Sequence, residues 1–124
     1  MEQQNAATAR QAAPARRAAA LSRSAALGDI VSVLLRAPKH RKMPLETLRH
    51  AVLPAILHNQ YRIARVRKPG SATAAPAGLA IWASVSDAVD RRLRAMKGQP
   101  VNLALDEWKS GETLWLIDLV APSA

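Results

Sequence analysis

After Met1, the first large apolar side chain in this chain is Leu21, and regular apolar patterning starts only at Leu27. The opening "MEQQNAATARQAAPARRAAALSRSAA" is Ala, Arg, Gln and Ser with a single acid, Glu2. Such a stretch cannot bury enough apolar surface to offset its ordering entropy, so residues 1–26 are expected to form a disordered basic tail, turning helical toward its end. The same composition resembles an organellar transit peptide, while "AAAL" is too short for a secretory signal. What remains, residues 27–124, suffices for one domain with a small core.

Charge divides along the same line. Residues 1–70 hold thirteen Lys and Arg against three acids, and residues 71–124 hold five against six. The first half therefore carries nearly all of the net charge of +9 and will attract anionic partners. Nucleic acid is disfavoured as that partner, because the chain has no Phe, one Tyr and three Trp on which bases could stack. It also lacks zinc-finger spacing and a basic region running into heptads. With no Cys there is no disulfide framework and no thiolate, which fits a cytoplasmic location, and three His offer little for a metal. No apolar run approaches the ~20 residues of a membrane span.

Periodicity gives the order helix, helix, strand, strand, helix, strand, an α+β class. Leu27, Ile30, Val31, Leu34 and Leu35 recur at helical spacing and stop at Pro38. Pro44 suits the first position of a second helix, whose stripe runs Leu45, Leu48, Val52, Ala55 and Ile56. Pro54 lies inside that stripe, so the helix should kink or restart near Leu53. "YRIARVR" and "GLAIWASV" read as a hairpin across the Gly/Pro/Ala-rich loop "KPGSATAAPAG". Ser86 is a natural N-cap for "DAVDRRLRAM", on which Asp87 with Arg91 and Asp90 with Arg94 are spaced to pair.

The last strand, "TLWLIDLVA", holds the strongest chemical signal. Strict alternation places Leu114, Leu116, Asp118 and Val120 on one side, and Trp115, Ile117 and Leu119 on the other. A carboxylate among those neighbours costs several kcal/mol unless a cation or strong donors meet it. His40, set in the basic segment "RAPKHRK", is a candidate partner. His50 and His58 read as surface or helix-packing residues. Trp82, Trp108 and Trp115 read as packing, with Trp82 or Trp115 as alternative linings of a channel.

Several pieces in this order resemble the RTX toxin-activating lysine acyltransferases, the hemolysin-activating type. They are "LGDIVSVLLRAPKHR" with Pro-x-His-Arg, "VLPAILHNQY", "IWASVS", and "DEWKSGETLWLIDLVAP" with Trp-x-Ser-Gly and Trp-x-Ile-Asp. The resemblance covers residues 27–121. It implies a GNAT-like acyltransferase fold, incomplete at the C-terminus, with an open sheet edge after Val120 that invites a homodimer. It implies transfer of a fatty acyl group from acyl carrier protein to an internal lysine of an RTX protoxin. The family's catalytic His and Asp fall on His40 and Asp118. No bound cofactor or metal is implied, the acyl carrier protein being the donor substrate.

The residues suit that chemistry. A lysine with a pKa of about 10.4 is protonated at neutral pH and must lose a proton before attacking a thioester. An imidazole oriented by a carboxylate can take it. Arg36, Lys39, Arg41 and Lys42 around His40 are candidate contacts for an acidic carrier. Two departures from the family pattern, Ala37 and Ala51, remove polar groups near the site. Two alternatives stand beside this reading: an inactive relative that only binds carrier or toxin, and a small basic nucleic-acid-binding protein.

Overall fold

The structure, a computed structural model, describes residues 2–122 and the side chains of residues 12–122. Helix α1 runs Glu2–Arg36. Residues 2–26, expected as a basic tail that turns helical toward its end, are part of this helix, as high Ala and Arg propensity favours. Side chains from Ala13 to Ala25 remain exposed, and packing begins at Ala26. From there Ala26, Ile30, Val33, Leu34 and Ala37 are buried at helical spacing, one stripe of α1 laid on a sheet. By length and composition Ala12–Arg36 could cross a membrane. In this fold its apolar stripe is instead part of the core, and Asp29 accepts a 2.7 Å bond from Arg65 of the sheet.

The proline expectation is met. Helix α2 (Leu45–Ala51) ends at Val52, and α3 (Leu53–Leu57) restarts with Pro54 in its first turn, where a missing N–H costs nothing. Helix α3 closes on Asn59, whose φ of 55° is left-handed, with the Gln60 N–H returning 2.8 Å to the Ala55 carbonyl. This helix-ending turn gives Asn59 its role and sets Tyr61 as the first residue of the sheet.

Strands β1 (Tyr61–Arg67), β2 (Ala74–Val85) and β3 (Thr113–Val120) form an antiparallel sheet in the order β1-β2-β3. Strand β2 starts earlier than "GLAIWASV" suggested, with an irregularity opposite Ala64/Arg65 that accommodates Pro76. Helix α4 (Asp87–Ala95) is capped by Ser86, whose hydroxyl accepts from the Val89 N–H. Of the two expected pairs on α4, Asp90–Arg94 forms, while Asp87–Arg91 is absent from the ion pairs among the described residues. A short 3-10 turn, Leu105–Trp108, precedes β3 and buries Trp108.

One sheet face is covered. Leu79, Ile81, Ala83 and Val85 of β2 are buried there with residues of α1, α3, α4 and the 3-10 turn. The other face presents Leu114, Leu116 and Leu119, each at least 60% exposed.

Candidate acid–base site

Strict alternation along β3 would put Asp118 beside Leu116 on the bare face, but the register breaks this pattern. Trp82 pairs with Leu116 and Ile81 with Asp118, so Ile117 is an extra residue between consecutive pairs. This β-bulge returns Asp118 to the covered face, in the same cross-strand row as buried Ile81. The expected grouping of Leu114, Leu116, Asp118 and Val120 is therefore corrected. Leu114, Leu116 and Leu119 face outward, while Asp118 and Val120 face the core.

His40 arrives from the end of α1. The chain continues past Arg36 in tight turns: His40 and Arg41 N–H groups both donate to the Ala37 carbonyl at 2.9 Å, and Met43 donates to His40. Ala37 is buried, so the turn is anchored to the core. The imidazole then meets the carboxylate, with His40 Nε2 and Asp118 Oδ2 2.9 Å apart. The two side chains are 20% and 37% exposed, so the pair lies at the molecular surface but is not freely solvated. An ionised carboxylate only accepts, so Nε2 carries the proton in this contact. Nδ1 is buried and has no protein partner. Its lone pair is thus the basic position of the neutral ring, held in that tautomer by Asp118.

Beside the pair runs a groove of about 270 Å³ between residues 37–40 and residues 119–122. Leu119, Val120 and Pro122 give one wall an apolar character, and Lys39 lines the other with His40. A larger cavity of about 660 Å³ lies between α2, α3 and residues 102–107, and it includes neither member of the pair. The smaller groove is the one that adjoins the pair.

The four basic candidates separate. Arg36 is committed to backbone, donating to the Pro76 and Ser32 carbonyls. Arg41 and Lys42 are exposed on the loop with Lys39, and none of the three takes part in an ion pair among the described residues. His50 meets Glu46 at 3.1 Å and His58 meets the Leu105 carbonyl at 3.0 Å, both away from the pair. Among the described residues no cluster of three or more His, Cys, Asp or Glu could hold a metal. Trp108 is core, and Trp115 donates to Asp90 at 2.9 Å, tying β3 to α4. Asp90, held also by Arg94, has its carboxyl below the usual range.

The Trp-x-Ser-Gly segment is structural. The Ser110 hydroxyl accepts from the Ser86 N–H at 3.0 Å and donates to the Glu107 carbonyl at 2.8 Å. A Cβ on Gly111 would stand 2.5 Å from the Val85 carbonyl oxygen, so only glycine fits. The device that sequence reasoning missed is the bulge at Ile117. Its only trace in the sequence is a carboxylate in an apolar run.

A histidine held by a carboxylate beside an apolar groove is an arrangement suited to general-base chemistry. The model of the RTX toxin acyltransferase family (HlyC) matches residues 19–124, and the chain belongs to that family. The chain is similar to sll0720 of Synechocystis sp., with 33% identity over 96 residues, 77% of this chain and 60% of that protein. It is 32% identical to the RTX-I toxin-activating lysine-acyltransferase ApxIC of Actinobacillus pleuropneumoniae, over 77% of this chain and 51% of that one. With the protein-lysine myristoyltransferase HlyC of Escherichia coli it shares 28% identity over the same fractions. The chain thus spans between half and three-fifths of the length of these relatives.

Proposed function

We propose that this chain carries the acid–base centre of a fatty acyltransferase that acylates an internal lysine of an RTX protoxin, on a GNAT-like fold, in the cytoplasm. The observation that carries the reading is the His40–Asp118 contact at 2.9 Å, made between the two segments that resemble the family's catalytic motifs. Family membership supports the reaction class. Acyl carrier protein supplies the acyl group as a thioester, and exposed Lys39, Arg41 and Lys42 meet its acidic surface.

In this mechanism the neutral imidazole accepts a proton from the lysine ammonium at Nδ1. Asp118 accepts the Nε2–H bond throughout and stabilises the imidazolium that forms. The freed amine attacks the thioester carbonyl, the tetrahedral nitrogen releases its extra proton to solvent, the C–S bond breaks, and the departing thiolate takes the proton back from His40. Leu119, Val120 and Pro122 give the acyl chain an apolar wall beside the reacting atoms. Nδ1 is buried without a protein partner, and in this reading it is the atom the amine must reach.

The test is mass spectrometry of a protoxin fragment incubated with the chain and acyl-loaded carrier protein. The expected result is a fatty-acyl mass on lysine that disappears with His40→Ala. An unmodified lysine in the presence of folded wild-type chain would refute the assignment and leave a protein that only binds carrier or toxin.

A further inference from the structure

We propose that Lys39 is an acylation site of the chain itself, modified at the His40–Asp118 pair; this inference rests on the acyl-transfer reading above. The sequence has five lysines, at 39, 42, 68, 97 and 109, and only Lys39 lines the groove that contains His40. Its backbone is fixed, because the two bonds to the Ala37 carbonyl hold Pro38 and Lys39 at the centre of the turn. Its side chain is exposed and enters no ion pair among the described residues, so no carboxylate there draws it away from the groove. Across the groove stand Leu119, Val120 and Pro122, the apolar wall assigned above to the acyl chain.

A tethered amine in the groove has an advantage over one that must arrive by diffusion, since its approach entropy is already spent. His40 takes a proton from the Lys39 ammonium, and the neutral Nζ attacks the carbonyl carbon of a fatty acyl thioester. The N–C bond forms, the tetrahedral nitrogen gives its extra proton to solvent, the C–S bond breaks, and the thiolate leaves with the proton from His40. The products are an amide and a free thiol, with no oxidant or reductant involved. Lys39 loses its charge, and its acyl chain lies along Leu119 and Val120, where it excludes the next donor. Self-acylation is accordingly limited to one event per chain and slows the transfer to other lysines.

The test incubates the full chain with fatty acyl thioester of carrier protein, with a protoxin fragment in a parallel tube, and maps both proteins by tryptic peptide mass. The expected result is acyl on Lys39 ahead of the other four lysines, seen also as a missed cleavage before His40. It should fall at least tenfold in His40→Ala and in Asp118→Asn, the latter keeping the side-chain volume. Acylated protoxin with unmodified Lys39 would overturn the inference and leave the acyl-transfer reading standing. Equal labelling of all five lysines, independent of His40, would overturn it as spontaneous thioester aminolysis. No acyl on either protein would remove both.

Discussion

Asp118 and Gly111 are each placed by what they meet: the carboxylate holds a ring, and the glycine leaves room for a backbone. Gly111→Ala places a methyl group against the Val85 carbonyl and Ser86, all backbone atoms that cannot rotate away. The expected cost is about 1–3 kcal/mol, read from chemical denaturation. Glu107 behaves as an acid-sensitive clasp. It accepts two bonds from Arg92, at 2.6 and 2.8 Å, and one from the Ala104 N–H, and these hold its carboxyl down at about 2. Because the folded value lies below the ordinary 4.5, the pair's stabilisation is present above that pH and is lost as pH falls toward about 2. Glu107→Gln should therefore flatten the decline in melting temperature between about pH 4.5 and 2 while lowering the plateau near neutrality.

At the level of elements, most of the fold was legible because its signals are local. Pro54 splits the second helix, Ser86 caps the fourth, and "YRIARVR" is strand β1 residue for residue. In the tail composition argues for disorder while Ala and Arg propensity argues for helix, and the helix of α1 runs through it. The bulge at Ile117 was not legible because register is set between strands, and alternation within one strand cannot reveal an added residue. The pairing of His40 with Asp118 was legible and the structure brings the two together, but the reason Asp118 faces inward was not. The bulge makes a testable claim. Deleting Ile117 restores regular pairing with Asp118 still opposite Ile81, so acylation should stay within about tenfold of wild type, whereas strict alternation would send Asp118 outward. A fall to the level of Asp118→Ala, measured with the protoxin assay and with far-UV circular dichroism to confirm the sheet, would contradict the register.

The whole molecule places helices on one face of its sheet and leaves the other bare, with β3 at the sheet edge among the described residues. Leu114, Leu116 and Leu119 form the exposed surface expected to drive self-association of the chain in solution. Leu116→Lys, on the bare face, should reduce scattering at a given concentration without altering the pair on the covered face; unchanged scattering would show that this face is not the adhesive one. At this scale too, the central claim is that residues 78 positions apart act as one unit. The direct measurement is the rate of lysine acylation for wild type, His40→Ala, Asp118→Asn and the double variant. If Asp118 acts only through His40, the double variant should be no slower than His40→Ala alone, with each single loss about 10²-fold or more. Losses that multiply in the double variant would mean the two residues serve separate steps, and the account of a single acid–base pair would fail.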